Sequence, residues 1–355
     1  MSDRVIQIVP TLPPIVDGLG DYALNLARQL RQSQIETEFI VGDPEWQGDR
    51  CEDFKATVLT RRSASDLLAL LPRDRPILLH YSGYGYAKRG VPQWLISALQ
   101  QRRENHLVTM FHEVYTYDRG PFWSSSFWLS PLQKQLAKQL IQRSDRLVTN
   151  RESYAQLIQQ LSPQPHLNVT VLPVFSNLGE PKVLKPLQQR QRRLIILGHR
   201  NTRQRTYTQY SEQLQQACQA LNITQIYDIG KPLEEDIQSI SPCPVIKMGV
   251  TPATQISEIM QDAIAGFLSF PPPEYLGKSS IFAAYCAHGL IPILANASPF
   301  PVEGLVSGIH YWVAQKHPLL ESTIITIRDN ALSWYNSHNL TQQQSIFTTL
   351  LTQLK

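Results

Sequence analysis

Short β-branched runs alternate along this chain with stretches whose apolar residues recur every three or four positions. VIQIVP precedes DYALNLARQLRQ, and TEFIVG follows. PILLHYS precedes QWLISALQQR, HLVTMFH precedes SPLQKQLAKQLIQRS, and DRLVTN precedes SYAQLIQQL. Strands alternating with helices predict βαβ units and a parallel sheet covered on both faces, so the first half is expected to form one doubly wound α/β domain. A second series begins after the polar, proline-bearing NLGEPKVLKPLQQRQRR. It runs through RLIILG, a long helix across TQYSEQLQQACQAL, ITQIYDIG, PVIKMG, ISEIMQDA, AGFLSF, the small-residue helix of YLGKSSIFAAYCAHG, and LIPILA. This predicts a second domain of the same kind, with a cleft between the two. The expected boundaries are 1–180, 181–320 and a helical tail, 321–355, that packs back on the first domain.

The length agrees with two domains, because 355 residues exceed the ~250–300 at which single cores usually split. The formal charge of +4 is mild. Basic residues are scattered, with clusters only at Arg61-Arg62, Arg102-Arg103 and between Arg190 and Arg205, so nucleic acid is not expected as a partner. An anionic small molecule or a membrane surface stays open. Cys51, Cys218, Cys243 and Cys286 are isolated, without CxxC or zinc spacing, which favours reduced core thiols and a cytoplasmic location. MSDRVIQIVP has no leader pattern, and no uncharged apolar segment approaches ~18–20 residues. The chain is expected to be soluble and at most peripheral to a membrane.

YLGKSSIFAAYCAHG is the first candidate site. It follows the strand AGFLSF and the turn Pro271-Pro272-Pro273, which puts Gly277 to Ser280 at the carboxyl edge of a parallel sheet, where open α/β folds bind ligands. Ser279 or Ser280 can cap the helix, its amides and dipole face the loop, and Lys278 adds a cation; together they suit a diphosphate. The plain alternative is a well-capped tight turn with a solvated lysine. Gly18 and Gly20 bring the backbone close at the start of the first helix. The G-x-G-x-x-G spacing is incomplete, since Ala23 takes the third position, and the second strand does not end in an acidic residue, which disfavours an NAD-dependent dehydrogenase. His80 and His112 end strands of the first domain, with Glu113 as a neighbouring acceptor or base. Each histidine could equally be structural. LGHRNTRQRTY offers His199, Arg200, Arg203 and Arg205 at an edge where arginine could clamp a diphosphate or simply face solvent. No Ser/His/Asp pattern, HExxH or Asp-x-Asp is found.

In their order, these motifs resemble the GT-B glycosyltransferases, particularly the retaining family-four enzymes. The resemblance rests on Gly18 and Gly20, His112 in TMFHE, VLPVFSN at the interdomain position, LGHRN, IYDIGKP, VIKMGV ending in Gly249-Val250, and PPPEYLGKSSIFAAYCAHGLIPIL. In that family the donor loop carries Glu-x7-Glu. Glu274 and Gly277 match its first half, but eight residues on stands Phe282, so the second, ribose-binding glutamate is absent. The resemblance implies a GT-B fold and transfer of a sugar from a nucleotide-diphosphate donor to a glycan, lipid-linked or small-molecule acceptor, with retention of configuration and no metal or other cofactor. Within that frame His112, Glu113 and Lys278 are expected to carry the chemistry, Lys278 with Ser279-Ser280 replacing the grip of the missing glutamate on the diphosphate. Gly18, Gly20, His199, Arg200, Arg203, Gly249, Glu274, Gly277, Ser279 and Ser280 hold the donor. The missing glutamate motivates an alternative, a noncatalytic GT-B module that binds a nucleotide sugar or glycan.

Overall fold

The computed structural model describes residues 3–116, 125–234, 237–240, 242–269, 273–314 and 320–352. The chain forms two compact units, Met1–Pro173 with Leu340–Lys355, and Val174–Asn339.

The first unit opens with β1 (Asp3–Val9), α1 (Gly18–Gln32), β2 (Ile35–Val41), β3 (Arg50–Cys51) and β4 (Phe54–Val58). α2 (Ala64–Leu70), β5 (Ile77–Tyr81), α3 (Gly83–Tyr86), α4 (Gln93–Gln101) and β6 (Leu107–Phe111) follow. α5 (Ser125–Arg143), β7 (Arg146–Thr149), α6 (Glu152–Leu161) and β8 (Thr170–Val171) complete the series. The eight strands lie in the order β3-β4-β2-β1-β5-β6-β7-β8, parallel except for the β3–β4 edge pair. β5 and β6 are buried at every position, which is why ILLHY and LVTMF read as continuous rather than alternating strands. α1 starts where Asp17 caps the Gly20 amide, and it buries Tyr22, Ala23, Leu26, Ala27 and Leu30 as one stripe.

The second unit contains β9 (Gln191–Leu197), α7 (Arg200–Thr208), α8 (Ser211–Ala220), β10 (Gln225–Ile229), β11 (Ser239–Ile240) and β12 (Cys243–Gly249). It continues through α9 (Ala253–Gln261), β13 (Ala263–Leu268), α10 (Ser280–Ala287), β14 (Ile291–Leu294) and α11 (Glu321–Asn336). Its strand order is β11-β12-β10-β9-β13-β14, parallel except for β11. Leu194, Ile196, Ile226, Phe267 and Ile293 of the sheet meet Tyr207, Leu214 and Cys218 of α7 and α8. β13 and α10 pack closely: a Cβ at Gly266 would stand 2.5 Å from the Tyr285 ring, whose hydroxyl donates to Ile195 O at 3.1 Å.

The chain then returns to the first unit with α12 (Leu340–Thr352), which packs on α1. Tyr22 Oη donates to Gln343 Oε1 at 2.5 Å, and Gln343 Nε2 donates to Pro173 O at 2.6 Å. α11 instead packs on α10 and β14. The units therefore change at Pro173 and Asn339, where the sequence suggested 180 and 320, and only the last helix of the tail lies in the first unit. The long helix expected across 208–221 is the shorter α8, and a separate helix, α7, precedes it, with Gln209 and Tyr210 between them. α7 was not expected at all, because RNTRQRTYT carries one aromatic residue and no apolar period. All four cysteines are free and buried. Among the described residues no helix is long and apolar enough to cross a membrane.

Candidate functional site

Open parallel sheets bind ligands beyond the carboxyl ends of their strands, at the point where the strand order reverses. In the second unit the chain runs outward from β9 through β10 to β12, then crosses back to β13 on the other side of β9. The reversal lies between β9 and β13, and two helices begin there. α7 starts after Gly198 with His199 as an N-cap whose side chain makes no capping bond, and α10 starts after Ser279, whose hydroxyl accepts from Phe282 N at 3.1 Å. The two starts touch. Ser269 Oγ, at the end of β13, donates to Thr202 O at 2.7 Å, and a Cβ at Gly198 would lie 2.9 Å from Ile281 Cδ1.

A helix start leaves its first amides without intrahelical acceptors. Here Thr202 N and Arg203 N bond His199 O, while Ser279 N bonds Leu276 O and Ala283 N bonds Ser279 O. Among the described residues the amides of Arg200 and Asn201 on α7, and of Ser280 and Ile281 on α10, find no acceptor. His199 and Arg200 are exposed, and Ser280 is half-buried. Lys278 ends the 3-10 turn Pro273–Lys278, with Nζ 5.7 Å from the centre of the Tyr275 ring. His199, Arg200, Ser279 and Ser280 are thus brought to one sheet edge, with Lys278 one residue ahead of the Ser279 cap.

Arg203 is a correction to the sequence reading. It is 1 % exposed, and its guanidinium is held inside the unit, paired with the Asp228 carboxylate and donating to Lys231 O and, at 3.0 Å, to Gly198 O. Tyr207 Oη gives Asp228 a second donor at 2.9 Å. Burial pushes the Asp228 carboxyl above its ordinary value, while Arg203 and Tyr207 oppose that rise. Buried in this way, Arg203 ties the ends of β9 and β10 together rather than lying exposed to a phosphate.

Gly249, at the end of β12, has φ +66° and open space where a Cβ would be, and its carbonyl accepts from Gly230 N at 2.9 Å. Gly230, which the sequence reading did not single out, is more constrained. At φ +144° its Cβ would lie 2.8 Å from Gly198 O. The glycines after β9 and β10 therefore let the Arg203 strut close beneath the site.

Gly277 is buried, and its amide donates to Glu303 Oε2 at 2.8 Å while its carbonyl accepts from Val174 N at 2.8 Å. Glu303 was invisible to sequence reasoning, since it lies beyond β14 and belongs to none of the motifs. Its carboxylate occupies the loop amide that the sequence reading left for a ligand. The backbone of Glu274 lies in the 3-10 turn, but its side chain is outside the described residues, as are Pro271 and Pro272.

In the first unit the reversal falls between β1 and β5. His80, at the end of β5, is fully buried between two partners: Nε2 lies 2.8 Å from Gln7 Oε1 and Nδ1 lies 3.2 Å from His112 Nε2. Gln7 Nε2 donates to Thr37 Oγ1, which fixes Oε1 as the acceptor. His80 must then donate through Nε2 and accept at Nδ1, so His112 donates from Nε2. Burial, and secondarily His112, push His80 well below its ordinary value, so it is neutral. Tyr22 sets its ring edge-on to both imidazoles, at 5.8 and 5.1 Å. Glu113 Oε2 accepts from Ser82 Oγ at 3.0 Å. Gly20 is held by packing, since a Cβ would lie 2.6 Å from Thr11 O and its amide already serves Asp17. Gly18 is exposed, with room for a side chain.

No protein-family profile matches this sequence, and no curated protein is similar to it in sequence. Solved structures are similar in fold. The sucrose-phosphate synthase of Thermosynechococcus elongatus superposes with a TM-score of 0.63 at 12% identity, covering 98% of this chain and 99% of its own. A protein described as "Trehalose-6-phosphate from E. coli bound with UDP-2-fluoro glucose" gives 0.62 at 12% identity, over 99% and 100%. An alpha-glucosyltransferase in complex with UDP and a 13-mer DNA containing an HMU base gives 0.61 at 12% identity, over 98% of both chains. The fold is GT-B. Two Rossmann-like domains, each a mainly parallel sheet, account for the whole length of the match. The last comparison also corrects the expectation of no nucleic-acid partner. A GT-B protein of this length is seen on DNA, so the lack of a continuous basic stripe does not exclude nucleic acid for the fold.

Proposed function

We propose that this protein is a glycosyltransferase that moves a sugar from a nucleoside diphosphate to a hydroxyl of a glycan, lipid or small molecule. One observation carries the reading: α7 and α10 begin side by side at the reversal of the second sheet, each with two amides that find no acceptor among the described residues, next to exposed Arg200 and half-buried Lys278. Such an arrangement suits a group whose negative charge grows during reaction. The bond from the anomeric carbon to the diphosphate oxygen breaks, and the acceptor oxygen bonds that carbon and gives up its proton. The four amides, Arg200 and Lys278 take up the charge left on the diphosphate. The chain His112–His80–Gln7 holds the His112 ring in one orientation, from which it would bind a sugar hydroxyl, with Glu113 as the neighbouring acceptor or base. Glu274 and Gly277 support a place beside the retaining family-four enzymes, and with it retention of configuration and transfer by protein groups alone. Similar folds holding UDP or a UDP-sugar make uridine diphosphate the first ligand to try.

One observation favours a second reading. The Glu303 carboxylate on Gly277 N places a negative charge in the donor loop, where it opposes a diphosphate. A module that binds without turnover would tolerate that.

The test is a thermal-shift series with UDP, GDP, ADP and their sugar conjugates on the wild type, Lys278→Ala and Arg200→Ala. A ligand present at a hundred times its Kd stabilises the folded state by about 2.7 kcal/mol. One nucleotide is expected to raise Tm, and each variant to weaken it about ten- to a hundred-fold, the cost of a lost charged hydrogen bond. If no nucleotide shifts Tm, the reading is wrong. Nucleotide release that depends on an added acceptor then separates the enzyme from the binding module.

A further inference from the structure

The first unit carries an aromatic and basic surface that plays no part in the proposed chemistry. On α5, Trp128 is 70 % exposed and Leu132, one turn on, is 44 % exposed. Gln135 and Lys138 continue the same exposed line, and Lys134 lies beside it. The loop after α3 is fastened against this helix: Gln133 Nε2 donates to Arg89 O at 2.9 Å and lies 3.3 Å from Tyr84 Oη. Tyr84, 47 % exposed, and the exposed Lys88 and Arg89 therefore flank the apolar line on its Leu132 side. The stretches Tyr81 to Arg103 and Ser125 to Arg143 contain no aspartate or glutamate. Four cations surround an exposed Trp–Leu–Tyr group with no carboxylate from either segment to neutralise them.

We propose that this face of α5 and the Tyr84–Arg89 loop docks on an anionic phospholipid bilayer. Trp and Tyr side chains partition to the headgroup level of a membrane, and a short apolar row flanked by lysine and arginine is the composition of an interfacial helix. The juxtaposed cations add attraction to acidic headgroups. Leu132 argues against a nucleic-acid backbone as the occupant: burying an aliphatic side chain gains nothing from phosphate, whereas the acyl boundary takes it. The proposal is independent of the transfer chemistry, since none of these residues lies at the candidate donor site.

The test is co-sedimentation of the full chain with vesicles of phosphatidylcholine alone and of phosphatidylcholine with about one-third phosphatidylglycerol. A duplex-DNA binding assay runs in parallel. Binding is expected only to the anionic vesicles and should fall as salt rises. The pair K134E and K138E should weaken it at least about ten-fold, and the pair Trp128→Ser and Leu132→Ser should weaken it at unchanged salt dependence. All four positions are exposed, so the variants should keep the wild-type Tm; a retained nucleotide shift in them would show that the two sites fail or succeed separately. The proposal is overturned by absent binding, by equal binding to neutral and anionic vesicles, or by vesicle binding that neither pair changes. It is also overturned if both pairs abolish DNA binding while vesicle binding persists.

Discussion

Arg203→Met separates a buried strut from a phosphate ligand. Arg203 and Asp228 are both shielded from water, and the pair is completed by Tyr207 Oη and the carbonyls of Gly198 and Lys231. Removing one member strands the other charge in the interior, which costs about 3–5 kcal/mol, whereas replacing both members by apolar residues of similar size is often close to neutral. For a unit of this length about 1 kcal/mol moves Tm by 2–4 °C, so Arg203→Met should lower it by about 6–20 °C. Adding Asp228→Leu should recover much of that loss. Burial already pushes Asp228 upward, and without Arg203 it is pushed further. The penalty should therefore shrink as the pH falls and the carboxyl protonates instead of remaining charged. Thermal denaturation of the two single variants and the double variant at two pH values measures all three effects. A shift of under about 2 °C together with lost nucleotide binding would refute the reasoning and return Arg203 to the ligand.

Burial pushes His288 and His338 of the second unit down to about 4, and Ser257 Oγ at 2.7 Å from His288 Nε2 and Ala284 O at 2.8 Å from Nδ1 fit a neutral ring. Because their folded values lie below the unfolded ~6.5, the unfolded chain binds more protons between pH 6.5 and 4. Stability is then complete above that window and is lost as pH falls through it, by about 2 kcal/mol for each histidine at pH 5. His288→Gln should flatten a urea-denaturation series across this range, and an equally steep series would count against the assignment. Tyr22→Phe removes the hydroxyl that reaches Gln343, for about 1–3 kcal/mol. Faster amide exchange confined to 340–352 is the expected sign, and no change there would mean that α12 is held without the Tyr22 bond.

The alternation of short apolar runs and amphipathic stretches was enough to read two doubly wound sheets, since β5, β6, β13 and β14 have no polar face to present. The helix start at Ser279 was also legible, because capping and turn formation are local. α7 was not: a helix whose residues are mostly polar gives no period, and Arg203 and Tyr207, turned inward onto Asp228, with Thr202 O accepting from Ser269, hold it to the sheet. The tail divided for the same reason, as α11 and α12 look alike in sequence and differ in which unit offers each a partner.

What the sequence determined by itself was whatever depends on near neighbours: the strands, the caps, the glycines that free the backbone at strand ends, and hence the GT-B order of elements. Tertiary structure alone decided the partners. Asp228 turned Arg203 from a ligand candidate into a strut, and Glu303 reached Gly277 from 26 residues away. Gln7 and His80 fixed which nitrogen of His112 carries its proton. Each of these is a contact between charged or polar groups distant in the chain. Its energy depends on burial and distance, which only the folded chain sets.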